Sequence, residues 1–186
     1  MPLALAIALV LGIQPPPTLT LLIRVFNGAE EVTAETRINI FKAGERQTPL
    51  SETRAKRIVE APVPQGMYDA QVIREREGRV VNIRWAERLL VMPYPDEAGR
   101  HLEVINFQNG FGALEVRGRE ATEPDAAIFV AGSRQQEAGK RFSGTGYALF
   151  VVQSGRYDLR VQENGRTTWH PDIEVPADRT RLWIEQ

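Results

Sequence analysis

The sequence predicts an all-β chain built as two tandem antiparallel β-sandwiches that arose by internal duplication. Three observations carry this reading. Val63-Pro64-Gln65-Gly66-Met67-Tyr68-Asp69-Ala70-Gln71-Val72 recurs 89 residues later as Val152-Gln153-Ser154-Gly155-Arg156-Tyr157-Asp158-Leu159-Arg160-Val161, in the pattern V-x-x-G-x-Y-D-x-x-V. Two further anchors flank it in the same order. Ile40-Phe41-Lys42-Ala43-Gly44 matches Ile128-Phe129-Val130-Ala131-Gly132, and Trp85 and Val91 match Trp169 and Val175. Between the anchors lie short apolar or alternating runs punctuated by Gly, Pro, Asn and Asp, which read as strands and turns. Three ordered anchors at nearly constant offset mean that a whole domain was copied. The 186 residues divide into an N-terminal segment 1–17, a first sandwich over 18–108 and a second over 112–186.

The N-terminal segment holds an uncharged apolar run, Leu3 to Ile13, followed by Pro15-Pro16-Pro17. Its length is that of a signal-peptide apolar region and is too short for a bilayer span. The triple proline ends any helix there. The segment lacks a basic start and a clean cleavage site, and a buried N-terminal helix is the competing reading. The signal reading places the protein in the periplasm or outside the cell, touching the membrane only if the segment is retained.

Thr18 to Phe26 reads as the first strand, ended by the turn pair Asn27-Gly28. Arg37 to Phe41 alternates, with Ile38 and Ile40 on one face. The charged stretch Ser51 to Glu60 reads as a loop or a short turn of helix. Tyr68 to Ile73, Val80 to Trp85, Leu89 to Met92 and Leu102 to Phe107 complete the first unit. Gln108-Asn109-Gly110-Phe111-Gly112 is a short glycine-containing linker that Phe111 can pin, so the units are expected to touch. The second unit repeats the plan from Leu114-Glu115-Val116 through Ala127 to Val130, Tyr147 to Val152 and Tyr157 to Val161. Asn164-Gly165 is a type I′ hairpin signal. Thr167 to Trp169, Ile173 to Val175 and Arg181 to Ile184 finish it. About seven short strands per unit is sandwich arithmetic.

The repeated V-x-x-G-x-Y-D-x-x-V element resembles strand entries of bacterial extracytoplasmic Ig-like and transthyretin-like sandwiches, of which the carboxypeptidase regulatory-like domain is the nearest type. Ile173-Glu174-Val175-Pro176-Ala177-Asp178 is similar to the closing V-x-V-x-A-G segment of such domains, with Asp178 where glycine is usual. The resemblance implies a non-catalytic module. In physical terms, Gly66 and Gly155 supply a backbone conformation that a Cβ disfavours. Tyr68 and Tyr157 bury a ring and need a hydroxyl partner. Asp69 and Asp158 face the other way and bond turn amides or a cross-strand Arg.

Charge and chemistry exclude more than they propose. Net charge is −1, with 23 basic and 24 acidic residues mixed along the chain, which argues against a nucleic-acid surface. Absence of cysteine removes disulfides, thiolate metal sites and a thiol nucleophile. The two histidines, His101 near Asp96-Glu97 and His170 near Asp172, have no second ligand at metal spacing. Glu30-Glu31 and Asp96-Glu97 read as solvated turn carboxylates rather than catalytic pairs. Ser133, Ser143 and Ser154 lack a G-x-S-x-G context, and Gly144-Thr145-Gly146 is no phosphate loop. Trp85 and Trp169 read as core. Trp183 points away from Leu182 and Ile184 and reads as an interface residue, against the other domain or a partner. The expectation is therefore no enzyme, no cofactor and no metal. The leading role is an envelope module that binds a protein partner or serves assembly. A carbohydrate-binding module is the alternative, and a cryptic hydrolase stands behind it.

Overall fold

The computed structural model describes residues 18–54, 57–92, 100–118 and 123–184. The signal-like segment, Asp96 and Glu97 lie outside the described residues. The first sandwich comprises β1 (Thr18–Asn27), β2 (Glu30–Glu31), a 3-10 turn (Thr33–Glu35), β3 (Thr36–Lys42), β4 (Ser51–Arg54), β5 (Val59–Pro64), β6 (Gly66–Arg76), β7 (Arg79–Val91) and β8 (Arg100–Asn106). The second comprises β9 (Phe111–Arg117), β10 (Asp125–Val130), β11 (Arg141–Gly144), β12 (Tyr147–Gln153), β13 (Gly155–Glu163), β14 (Arg166–Val175) and β15 (Thr180–Ile184).

The duplication is visible in the strand orders. In the first sandwich one sheet runs β5-β1-β8, with the short β2 also on β1, and faces a sheet ordered β4-β3-β6-β7. In the second, β12-β9-β15 faces β10-β13-β14. In each, the first long strand pairs in parallel with the last, β1 with β8 and β9 with β15. The small strand β4 pairs with β3, whereas its counterpart β11 has moved to β12 in the opposite sheet. There β11 delivers Phe142 against Phe26 at a ring separation of 4.9 Å, in an edge-to-face contact between the two halves.

The sandwiches stack sheet on sheet, giving four layers and three apolar zones. One core lies between the sheets of the first unit, around Leu21, Ile23, Ile40, Ala70 and Val72. A second lies within the second unit, around Leu114, Ile128, Phe150 and Leu159. A third joins the units: Leu22, Phe26, Leu102 and Val104 meet Ala113, Tyr147, Leu149 and Val151. Leu21, Ile23 and Val25 of β1 enter the first core while Leu22 and Phe26 enter the joint, and β12 splits Phe150 and Val152 from Leu149 and Val151 in the same way. Both faces of each strand are covered, as in any doubly packed sheet. Phe111 of the linker packs on the joint. Polar bonds cross it as well. The Val104 amide donates to Thr180 Oγ1 at 2.8 Å, and the Arg84 guanidinium reaches Asp178 at 2.7 Å.

The stretch read as loop or helix, Ser51 to Glu60, contains β4 and the start of β5. Val59, Ala61 and Val63 face the core while Glu60, Pro62 and Pro64 are exposed. The prolines mask this strand in the sequence, yet they are harmless there. They share one parity on a strand paired only with β1, so their missing N–H groups are lost from an edge.

Candidate functional site

The three duplicated sequence anchors converge in space, once in each sandwich. Tyr68 and Asp69 alternate along β6. Tyr68 turns inward, and its hydroxyl donates to the Pro64 carbonyl at 2.6 Å. Tyr157 does the same on β13, donating to Gln153 at 2.6 Å. Burial pushes both phenols above their ordinary pKa. Asp69 turns outward, yet its side chain is buried. Its carboxylate accepts from the Arg88 amide at 2.9 Å and the Gly44 amide at 3.3 Å. Asp158 accepts from the Asp172 amide at 3.0 Å and the Gly132 amide at 3.1 Å. Gly44 and Gly132 close the I-F-x-A-G anchor, and both hold left-handed backbone, φ +82° and +77°.

The amides of Arg88 and Asp172 belong to matching β-bulges. On β7, Leu89 pairs with Tyr68 but Ala86 pairs with Ala70; on β14, Ile173 pairs with Tyr157 but His170 pairs with Leu159. Each bulge puts a non-glycine residue in left-handed backbone, Arg88 at φ 57° and Asp172 at 62°. Each Asp therefore ties a glycine turn of the preceding hairpin to a bulge on the following strand. For Asp69, burial is the largest single influence and would raise its pKa. The Arg88 and Gly44 amides and the Arg46 guanidinium together outweigh it, and hold the carboxyl below its ordinary value.

The bulges correct the reading of the tryptophans. Counting by twos back from the buried Val91 and Val175 puts Trp85 and Trp169 in the cores. The extra residue in each bulge flips that parity. Both rings are half-buried on the outer faces. Trp85 rests on Phe41 at 5.4 Å beneath the Arg46 guanidinium at 4.4 Å. Trp169 rests on Phe129 at 5.0 Å beneath Arg134 at 4.8 Å. Arg46 and Arg134 were missed, although they extend the second anchor to I-F-x-A-G-x-R at its own offset. Trp183 is not between the sandwiches. It pairs in register with Val116, packs on the second core and stacks on His170 at 4.6 Å. The outer-face and inner-face tryptophans thus lie on three different sheets and form no common aromatic platform.

Gly66 and Gly155 need a second correction. Neither holds a positive φ, and a Cβ on either would make ordinary contact with the tyrosine ring that follows. The structure gives no steric reason for glycine at these two positions.

Among the described residues, no three His, Asp or Glu side chains come together to hold a metal ion. His101 contacts Glu103 at 2.7 Å, far in sequence from His170. A cavity of about 500 Å³ opens at the joint, lined by Arg24, Glu31, Arg100 and Tyr147 among others. Its central cation is engaged: Arg24 forks onto Glu31 at 2.9 and 2.7 Å and reaches Tyr147 at 3.4 Å. No helix among the described residues is long and apolar enough to cross a membrane.

The distinctive surface is the β6–β7 hairpin. In the second unit, Trp169 lies three positions after the start of its strand at Arg166; in the first, Trp85 lies six positions after Arg79. The extension carries Val80 and Val81, and Ile83 follows where the second unit has Thr167; the three are 54%, 53% and 51% exposed. It forms an apolar arm on an edge strand.

No family model matches the chain, and no curated protein matches it. Several solved structures do. The tip fimbrial protein Mfa3 of Porphyromonas gingivalis, with a C-terminal truncation, is 9% identical, with a TM-score of 0.38 over 90% of this chain and 94% of that one. A fimbrial protein of Bacteroides ovatus is 7% identical, with a TM-score of 0.34 over 92% and 49%. The Bacillus anthracis TIE protein is 16% identical, with a TM-score of 0.33 over 91% of this chain; the chain spans 34% of that protein's length. Likenesses this loose carry no functional argument.

Proposed function

We propose that the protein is a non-catalytic extracytoplasmic module in which two domains, residues 18–108 and 112–186, act as one rigid support for protein binding in envelope assembly. The observation that carries this is the apolar arm. A large apolar stripe on a free sheet edge costs solubility unless something covers it. Val80 and Val81 lie where the first unit is longer than its duplicate, and Ile83 stands where the duplicate has the polar Thr167, so the apolar character of the arm is not shared. The strand orders β5-β1-β8 and β4-β3-β6-β7 support the transthyretin-like reading of the first unit. The buried joint supports a fixed presentation of the arm.

The test is capture from native envelopes with the tagged chain and with a Val80→Ser/Val81→Ser/Ile83→Ser variant. A partner recovered with the parent and lost with the variant supports the reading. Equal recovery with both contradicts it.

A further inference from the structure

We infer that the outer face of the second unit is a further contact surface, on which Arg134 and Arg160 take the carboxylates of an acidic peptide segment of a protein partner. This surface rests on the reading of the chain as a protein-binding module, but it lies on the other unit from the arm.

The duplication supplies the comparison. On the outer face of the first unit the polar groups satisfy one another. Arg46 bonds Asp69 at 3.1 Å and Glu87 at 2.6 Å. Asn39 donates to Gln71 at 3.0 Å across the β3–β6 register. The second unit keeps the aromatic pair and changes the polar groups around it. Arg134 stands at the place of Arg46, but Pro171 stands where the first unit has the Glu87 carboxylate. Arg160 replaces Gln71, and its register partner on β10, Ala127, replaces Asn39. The exchange adds one guanidinium and removes one carboxylate.

Among the described residues, Arg134 and Arg160 have no ion pair and no hydrogen-bond partner, and the Arg160 Nε is buried without one. The nearby carboxylates do not neutralise them. Asp158 is held by the Gly132 and Asp172 amides. Asp172 pairs with Arg156. Glu137, bridged to Phe129, is exposed and bonds neither. The two guanidiniums are held by rings instead. Arg134 lies over Trp169 at 4.8 Å and Arg160 over Phe129 at 5.3 Å, with the rings 5.0 Å apart. A guanidinium stacked on a ring keeps its edge N–H groups free, and their fork fits a carboxylate. Two separate cations are matched by two separate anions, which successive acidic side chains of one segment supply. The same stacking disfavours a glycan. Arg134 covers Trp169 and Phe129 is buried, so neither ring is open to a sugar.

The probe is a fluorescein-labelled peptide of eight glutamates, titrated with the intact chain and followed by anisotropy at about 0.02 M and about 0.3 M salt. Saturable binding that weakens with salt is expected. Arg134→Gln should weaken it about fivefold, and so should Arg160→Gln, which installs the residue of the first unit. Pro171→Glu, which restores the missing carboxylate, should act in the same direction. Arg179→Gln, at another exposed arginine without an ion pair among the described residues, should leave binding unchanged. Unchanged urea midpoints show that the variants fold. Absence of saturable binding, or equal losses with Arg179→Gln and with the two face variants, overturns the inference. Binding of polygalacturonate without binding of the peptide also overturns it and assigns the face to an acidic glycan. None of these variants touches the arm. If the inference fails while envelope capture remains arm-dependent, the binding reading stands without this surface; if capture is also independent of the arm, both fall.

Discussion

Removing the Asp69 carboxylate tests the clamp most sharply. Asp69→Ala leaves the Arg88 and Gly44 amides without their acceptor, at a site where the side chain is 3% exposed. A hydrogen bond to a charged group contributes about 1.5–3 kcal/mol, and the lower figure suits a site that water can reach after truncation. Two such bonds give an expected loss of about 3 kcal/mol. The Arg46 contact adds little, because that side chain is 40% exposed. With a urea slope of about 2 kcal/mol/M, the unfolding midpoint should fall by about 1.5 M. Asp69→Asn should lose less, since one amide oxygen still accepts. The pH dependence has a definite sign. The folded pKa lies below its ordinary value of 3.8, so the clamp's contribution is complete above the unfolded value. It is lost as pH falls below that value and through the folded one. The difference between parent and Asp69→Asn should therefore be flat near neutrality and shrink on acidification below about pH 4. A loss below about 0.5 kcal/mol for Asp69→Ala, typical of plain surface positions, would refute the clamp.

Other predictions follow from the same geometry. Gly132→Ala should cost about 1 kcal/mol because it forces a Cβ into left-handed backbone, while Gly155→Ala should be nearly silent; thermal unfolding of the pair separates them. Glu77→Asn should stabilise by about 0.5 kcal/mol in urea unfolding, since Glu77 sits at φ 51° in the hairpin turn where the second unit has Asn164 at 49°. Leu149→Ala should cost about 3 kcal/mol by opening the joint, and it should split the unfolding of the two halves.

The sandwich class and the duplication were legible because they depend on alternation and on anchors that any reader can align. The roles of the anchors were only partly legible. The tyrosine hydroxyls find acceptors within their own loops, a local bond that a sequence can foretell. Asp69 and Asp158 were foreseen to bond turn amides, but their second targets are bulges, and a bulge leaves no composition signal. That one extra residue moved Trp85 and Trp169 from the inside to the outside. Strand β5 was hidden by Pro62 and Pro64, which are tolerated only because β5 lies at an edge. The joint was foreshadowed only by the short linker and Phe111, which packs on it; the residues that seal it, Leu22 and Phe26 with Leu149 and Val151, carry no mark that sets them apart from core positions of a single sandwich. The arm was visible as Val80-Val81-Asn82-Ile83, but its exposure follows from the longer hairpin and not from the residues themselves.

The central claim is that two duplicated sandwiches form one rigid support for the arm. The most direct test is urea unfolding followed by tryptophan fluorescence in two chains. One retains only Trp85, through Trp169→Phe and Trp183→Phe. The other retains only Trp169, through Trp85→Phe and Trp183→Phe. A joint sealed by Leu22, Phe26, Tyr147 and Leu149 predicts coincident midpoints and slopes, each referenced to its own variant's calorimetric transition. Two separate transitions, with one half folded while the other is unfolded, would contradict it.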